Sequence, residues 1–293
     1  MTELLVVGVD GSEPAERALI WAADEAALHA AQLLIVHCGD VLTGKARARG
    51  GVRDYSHEVL REAVATALDA SDACNISTLL RSEPPANVLL ELSEHARMLV
   101  VGTHGVGRIA GALLGSVAHR VAAHAHCPVV VVPEEWRAPV AGEARPVAVG
   151  VSGSPSGRDA LEFAFTEAER ANVPLVAVRS CAEIDEVADS AVRHRHQALL
   201  TELVEAAWAE HPSVEVVTEL SSASVYESLR EAAARASLLV LGSRRADGNQ
   251  FARLGPVSSR LLHNSPCPVA IIGRPVAPAT TSGVQNLALA GQS

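Results

Sequence analysis

The chain has 293 residues, a formal net charge of −10 and 48% hydrophobic residues. At ~150 residues per domain this length predicts two domains, and no apolar run reaches the ~18 residues of a membrane span. The negative charge and the 3% aromatic content argue against nucleic-acid binding, which needs a basic face or stacking side chains. Five widely spaced cysteines and an N-terminus without a basic region predict a reduced, cytoplasmic protein with no signal peptide.

The first half of the chain alternates predicted strands and helices. Short runs rich in Val and Leu predict strands that are buried on both faces. The predicted order is strand 4–9, helix 14–30, strand 32–37, helix 55–70, strand 75–80, helix 86–95, strand 98–101, a helix from Ser116 and strand 128–132. Strands separated by helices predict βαβ crossovers and a parallel sheet.

The second half repeats the first. "LLVVGVDGS" at 4–12 recurs at 146–154, "MLVVGTHG" at 98–105 recurs at 238–245, and "HCPVVVV" at 126–132 recurs at 266–272. The offsets of 142, 140 and 140 residues indicate a tandem duplication. In the second half, Ser224 and Glu227 have the spacing of a capping box that opens its third helix.

The predicted fold class is therefore α/β, with two tandem open-twisted five-stranded parallel-sheet (Rossmann-like) domains that carry helices on both faces. We place these domains at residues 1–135 and 145–275, and we expect residues 276–293 to form a disordered tail. The linker between the domains is rich in Pro, Gly and charge.

A ligand in such a sheet is expected beyond the carboxyl ends of the strands, at the topological switch point. Asp10 follows the first strand, and "GTHGVGRIAGALLGS" at 102–116 follows the fourth. The glycines of this loop let the backbone approach a ligand, and successive N–H groups form an anion-binding nest. A helix opening at Gly115-Ser116 favours phosphate through its dipole. The alternative is a glycine-rich loop with an ordinary Ser cap.

These residues resemble the universal stress protein family. The family pattern G-x2-G-x9-G-[S/T] is matched by Gly102, Gly105, Gly115 and Ser116, and its acidic residue after strand one by Asp10. The resemblance implies ATP bound on the sheet, with adenine contacts to the backbone near residues 36–38 and Mg²⁺ held, if at all, through Asp10. The implied contact residues are Gly8, Asp10, Gly102, Thr103, His104, Gly105, Val106, Gly107, Arg108, Gly115, Ser116 and Val117.

The second half departs from the family pattern at three positions. Ser152 replaces Asp10, Arg245 replaces Gly105 and Pro256 replaces Ser116. Proline removes both a helix N–H and a hydroxyl. We therefore predict that the second half binds ATP weakly or not at all, through the residual glycines Gly150, Gly242 and Gly255. The alternative is that Arg245 itself supplies charge to phosphate.

Three functions follow from this interpretation. The first is an ATP-binding stress-response regulator that acts through its N-terminal half, as a homodimer and with a regulatory protein partner. The second is a slow ATPase, for which no general base stands at a predictable position. The third is a scaffold with a vestigial nucleotide site.

Three other sequence patterns could indicate a ligand or metal site. "GDVLTGKA" at 39–46 fits a P-loop frame, but Ala46 stands where Mg²⁺ requires Ser or Thr. The basic segment 44–56 is either a lid over the nucleotide or a solvated loop. A zinc site at His119, His124, His126 and Cys127 is disfavoured by the spacing of these residues, and ordinary packing is the preferred interpretation.

Overall fold

The structure is a computed structural model that describes residues 3–39, 52–71, 75–105, 114–138, 143–182, 190–243 and 254–273. These residues form two compact units that divide after Ala138, called unit 1 and unit 2 below. Several features singled out above lie outside the described residues: Val106, Gly107, Arg108, Arg245, most of the P-loop frame, most of the basic segment 44–56 and the tail.

Unit 1 contains a five-stranded sheet and four described helices. In chain order they are β1 (Leu4–Val9), α1 (Glu13–Leu28), β2 (Gln32–Cys38), α2 (Val52–Ala70), β3 (Asn75–Arg81), α3 (Pro85–Leu92), β4 (Met98–Gly102), α4 (Ser116–His124) and β5 (Val129–Val132). The strand order is β3-β2-β1-β4-β5, and every adjacent pair is parallel. The order reverses between β1 and β4, which is the switch point.

Unit 2 repeats this arrangement. Its elements are β6 (Val147–Gly150), α5 (Pro155–Ala171), β7 (Leu175–Ser180), α6 (Ser190–Trp208), β8 (Val216–Ser221), α7 (Val225–Ala233), β9 (Leu238–Gly242), α8 (Pro256–Asn264) and β10 (Val269–Ile272). The strand order is β10-β9-β6-β7-β8, again with parallel neighbours. The predicted fold class is confirmed.

Helices cover both faces of the unit 1 sheet. The register of β1 and β4 continues to place Gly8 beside Val101 and Val9 beside Gly102, and successive residues face opposite sides of a strand. A Cβ on Gly8 would lie 3.2 Å from Leu89 in α3, whereas a Cβ on Gly102 would lie 2.6 Å from the backbone of α1. Helices α1 and α3 therefore pack on opposite faces.

The helix ends differ from the prediction by a few residues. Helix α1 stops at Leu28 rather than at 30 because Ala30 has a φ of 48°, which ends the helical path. Helix α2 begins at Val52, three residues before the predicted start at 55. The predicted capping box of Ser224 and Glu227 is confirmed at the start of α7. None of the helices in the described ranges is long and apolar enough to cross a membrane.

In unit 2, a single histidine, His211, connects α5 with the segment after α6 through a cluster of contacts. His211 makes hydrogen bonds of 2.9 Å with Glu169 and 3.0 Å with Glu162, and its ring stacks on Phe165 with centroids 5.5 Å apart. Burial alone would lower the pKa of His211, but the hydrogen bonds and charges of Glu169 and Glu162 outweigh it and raise the pKa above 6.5. The protonated ring therefore stabilises the fold.

This cluster predicts a pH-dependent contribution to stability. Because the pKa of His211 is higher in the folded state, its contribution is complete below the unfolded value and is lost as pH rises through the folded value. The melting temperature lost in His211→Gln should be larger at about pH 6 than at about pH 9. If the melting temperature fell equally at both pH values, the stabilisation would come from the stacking of His211 on Phe165 and not from its charge.

Candidate functional site

The candidate site lies at the carboxyl edge of the unit 1 sheet, where β1 and β4 end. Asp10 directly follows β1, and residues 103–105 directly follow β4. Because β1 and β4 are parallel neighbours, both segments leave the sheet at the same edge. The helix N-termini that follow these segments also open at this edge.

Asp10 is held in place by the start of α1. Its Oδ1 accepts hydrogen bonds from the Ser12 N–H at 3.0 Å and from the Ser12 hydroxyl at 2.5 Å. Gly11 between them has a φ of 77°, a conformation that strongly favours glycine. Ser12 also caps α1, because its hydroxyl accepts from the Ala15 N–H at 3.4 Å. The carboxylate is thus oriented before any ligand arrives.

Gly105 lies directly over this carboxylate. A Cβ built on Gly105 would overlap Asp10 Oδ2. Every residue other than glycine at position 105 must therefore displace either the loop or the acid. The structure brings together these two residues, which stand 95 positions apart in the sequence.

The N-terminus of α4 adjoins the same loop. The Gly115 N–H donates to the Thr103 carbonyl at 2.7 Å, and a Cβ on Gly115 would approach that carbonyl to 3.0 Å. Gly115 is the N-cap, and among the described residues no side chain caps the helix. The first-turn N–H groups, which include those of Ser116 and Val117, have no acceptor within the helix.

Thr103 and His104 complete the described part of the loop. The Thr103 side chain is 3% exposed, and its hydroxyl has no hydrogen-bond partner among the described residues. A buried hydroxyl without a partner costs free energy, and a bound ligand or water relieves that cost. His104 is half-buried.

Two predicted contact residues have a packing explanation. Gly8 leaves room for Leu89 of α3, whose Cδ1 would lie 3.2 Å from a Cβ at that position. Gly102 leaves room for the start of α1, because a Cβ there would lie 2.6 Å from the Pro14 carbonyl oxygen. The close backbone at Gly102 requires glycine whether or not a nucleotide binds, whereas at Gly8 a small shift of the Leu89 side chain would admit a Cβ.

Two polar side chains at this edge were missed by the sequence analysis. His37, 4% exposed, bonds through Nδ1 to the Val9 carbonyl oxygen at 2.8 Å and so fixes the end of β1. Tyr55 of α2 reaches over Gly11 with its hydroxyl. A histidine within the apolar run "LLIVHC" was an available signal, but Tyr55 reaches the site only through the packing of α2.

Unit 2 builds the same edge with different chemistry. Ser152 stands in the place of Asp10, and its hydroxyl lies 2.9 Å from that of Ser154, the N-cap of α5. Arg179 replaces His37 and donates to the Val151 carbonyl at 3.1 Å. The backbone support of the strand end is kept, but the carboxylate is absent.

The remaining unit 2 positions support packing more than binding. Gly150 makes room for Leu229, and Gly242 makes room for the Ser156 carbonyl, which would lie 2.5 Å from a Cβ. A Cβ on Gly255 would have no atom of the described residues within 4 Å, in contrast to Gly115. Pro256 opens α8 and removes the first helix N–H.

The zinc interpretation gains no support from the thiol. Cys127 is buried, and burial raises the pKa of its thiol to about 12, which disfavours the thiolate that binds zinc. The backbone N–H of His126 donates to the Ser93 hydroxyl at 3.0 Å, and the same hydroxyl lies 3.4 Å from Nδ1 of the His126 ring.

The fold is that of a tandem α/β protein with a parallel sheet in each unit, and comparison with known proteins gives the family. The model of the universal stress protein family matches residues 1–133 and again 143–273. The chain belongs to the universal stress protein family.

Relatives and solved structures extend this assignment over most of the chain. A universal stress protein of Mycolicibacterium smegmatis is 32% identical over 92% of this chain and 96% of its own length. A universal stress protein of Mycobacterium tuberculosis is 32% identical over 91% of this chain and 96% of its own length.

Two examples illustrate the similarity to solved structures. A universal stress protein from Archaeoglobus fulgidus covers 92% of this chain and 98% of its own with a TM-score of 0.71 and 18% identity, which supports the fold. A second universal stress protein, which was solved in complex with cAMP, is 33% identical and covers 45% of this chain and 98% of its own length, with a TM-score of 0.36. The likeness in fold therefore rests on the Archaeoglobus protein.

Proposed function

We propose that unit 1 binds ATP at the edge formed by Asp10, residues 103–105 and the start of α4, and that the bound nucleotide regulates a stress response. The observation that carries the proposal is the N-terminus of α4, which no described side chain caps and which lies against that loop, with the Gly115 N–H bonded to the Thr103 carbonyl at 2.7 Å. An uncapped helix N-terminus favours phosphate through its N–H groups and dipole. The buried Thr103 hydroxyl supplies a further polar group.

Each described residue has a distinct task in this proposal. The N–H groups of Ser116 and Val117 donate to phosphate oxygens, and the Ser116 hydroxyl, which is exposed, adds a donor. Gly105 leaves the space above Asp10 open. Asp10 offers the oxygen ligand that Mg²⁺ would use if the ion enters with ATP.

Unit 2 is proposed to bind ATP weakly or not at all. It has Ser152 in place of the carboxylate and Pro256 in place of a donating N–H and hydroxyl. Each lost charge-assisted or helix N–H contact removes about 1 kcal/mol or more of binding free energy. We therefore expect one ATP per chain. The homodimer, the regulatory partner and the cytoplasmic location stay predictions.

The nucleotide content of the purified protein tests this proposal. After denaturation, chromatography of the released small molecules should give about one ATP per chain. Added ATP at about 100 times Kd should stabilise unit 1 by about 2.7 kcal/mol and raise its melting temperature.

Other outcomes separate the alternatives. Two ATP per chain would contradict the account of unit 2. Released ADP in place of ATP would favour the slow ATPase. Neither released nucleotide nor any shift in melting temperature with added ATP would contradict the proposal and favour a scaffold.

A further inference from the structure

A tyrosine from outside the glycine loop stands at the wall of the unit 1 site. The Tyr55 hydroxyl oxygen lies 3.2 Å from the position of a Cβ on Gly11, and Val59, one turn further along α2, lies 3.3 Å from the same point. Gly11 directly follows Asp10. The phenol is therefore held over the turn that orients the carboxylate.

The start of α2 is fixed at this place by a second contact. Ser56 is 2% exposed, and its hydroxyl oxygen lies 2.5 Å from the position of a Cβ on Gly39, which follows β2. The Gly39 N–H in turn donates to the Arg81 carbonyl at 2.9 Å. Helix α2 thus spans the ends of β1 and β2, and Tyr55 beside it stays half-exposed at the sheet edge.

We propose that Tyr55 contacts the nucleoside part of the nucleotide and makes the site select nucleotides over other polyphosphates. This inference rests on the proposed function. The proposed phosphate-binding groups lie after β4, at residues 103–105 and the start of α4, whereas Tyr55 comes from α2 and reaches the turn after β1. Neighbouring strands lie roughly 5 Å apart, so a ligand whose phosphates bind at the start of α4 reaches Tyr55 through the part that extends from the phosphates across the end of β1.

The chemistry of the side chain suits a nucleoside. A phenol offers an apolar ring to a base or sugar face and a neutral hydroxyl to a ribose or base hydrogen bond. It carries no positive charge for phosphate. Unit 2 lacks this group: at the offset of 140 residues Arg195 replaces Tyr55, while Leu199 replaces Val59 and lies 3.8 Å from the Cβ position of Gly153.

The test compares Tyr55→Phe with wild-type protein by titration with ATP and with inorganic tripolyphosphate. Loss of one hydroxyl contact should weaken ATP binding about three- to tenfold and leave the affinity for tripolyphosphate within about twofold. Tyr226→Phe is the matched control, because Tyr226 lies in unit 2 with its ring 3.7 Å from the Arg260 guanidinium carbon. Its affinity for both ligands should equal that of the wild type. Tyr55→Ala should weaken ATP binding further.

The outcomes distinguish this inference from the proposed function. Wild-type affinity for ATP in both Tyr55 variants overturns the inference and leaves ATP binding intact. Equal weakening of ATP and tripolyphosphate also overturns it, because Tyr55 would then act on the phosphate end or on the fold. A wild-type protein that binds neither ligand overturns the proposed function and this inference together.

Discussion

Replacing Gly105 by arginine, the residue at position 245 of unit 2, should weaken ATP binding by about a hundredfold or more. A Cβ on Gly105 would already overlap the Asp10 carboxylate, and Asp10 is tied to Ser12 by hydrogen bonds of 3.0 and 2.5 Å. Either the carboxylate must leave these hydrogen bonds or the loop must move, and we expect either change to disrupt the proposed phosphate contacts. Isothermal titration of the nucleotide-free protein measures the effect.

The controls separate volume from charge. Gly105→Ala introduces the same overlap without a charge and should weaken binding about tenfold or more. Gly255→Arg adds the same side chain at a position where no described atom lies within 4 Å of the Cβ, and should leave the affinity of unit 1 within about twofold. A folded Gly105→Arg protein with wild-type affinity would contradict this account of the loop.

The comparison with unit 2 suggests why the residues at positions 10 and 105 both differ between the two units. Arg245 occurs with Ser152, whereas Gly105 occurs with Asp10. A serine is smaller than the carboxylate that a Cβ at position 105 would overlap. In an Asp10→Ser background, Gly105→Ala should therefore cost less stability than in the wild type, and a double-mutant cycle gives the difference directly. Additive costs would show that the overlap is relieved elsewhere.

The strand and helix order could be predicted from the sequence because its signals are local. Apolar runs mark the buried strands, and the repeated motifs at offsets of 140 and 142 residues mark the duplication. Helix ends were less accurate, since the φ of 48° at Ala30 is imposed by the turn into β2 and leaves no composition signal.

The site was predictable only where its residues belong to one motif. Asp10, Gly105 and Gly115 could be singled out by spacing, but the overlap of a Gly105 Cβ with Asp10 depends on the pairing of β1 and β4. Tyr55 comes from α2, and nothing in its neighbouring sequence marks it. The function of each glycine could not be predicted either, since it depends on which face of the strand the missing side chain would occupy.

The role of a strand glycine in packing can be tested without any ligand at Gly102 and at its unit 2 counterpart, Gly242. A Cβ on Gly102 would lie 2.6 Å from the Pro14 carbonyl oxygen, and a Cβ on Gly242 would lie 2.5 Å from the Ser156 carbonyl oxygen. Backbone atoms at a helix start cannot yield as a flexible side chain can. Gly102→Ala and Gly242→Ala should each destabilise their own unit by about 2 kcal/mol or more. Thermal unfolding of the nucleotide-free protein measures both effects.

Gly153→Ala is the matched control, because its Cβ would meet Leu199 at an ordinary 3.8 Å; it should change stability by less than about 0.5 kcal/mol. If Gly102 were present only to admit phosphate, Gly242→Ala would be silent in a unit that we propose binds ATP weakly or not at all. Equal destabilisation of both units instead assigns these glycines to the contact between strand and helix. The nucleotide binding that we propose for unit 1 then rests on Gly105, Gly115 and Asp10. Of these, unit 2 keeps only the counterpart of Gly115, Gly255, at a helix that begins with proline.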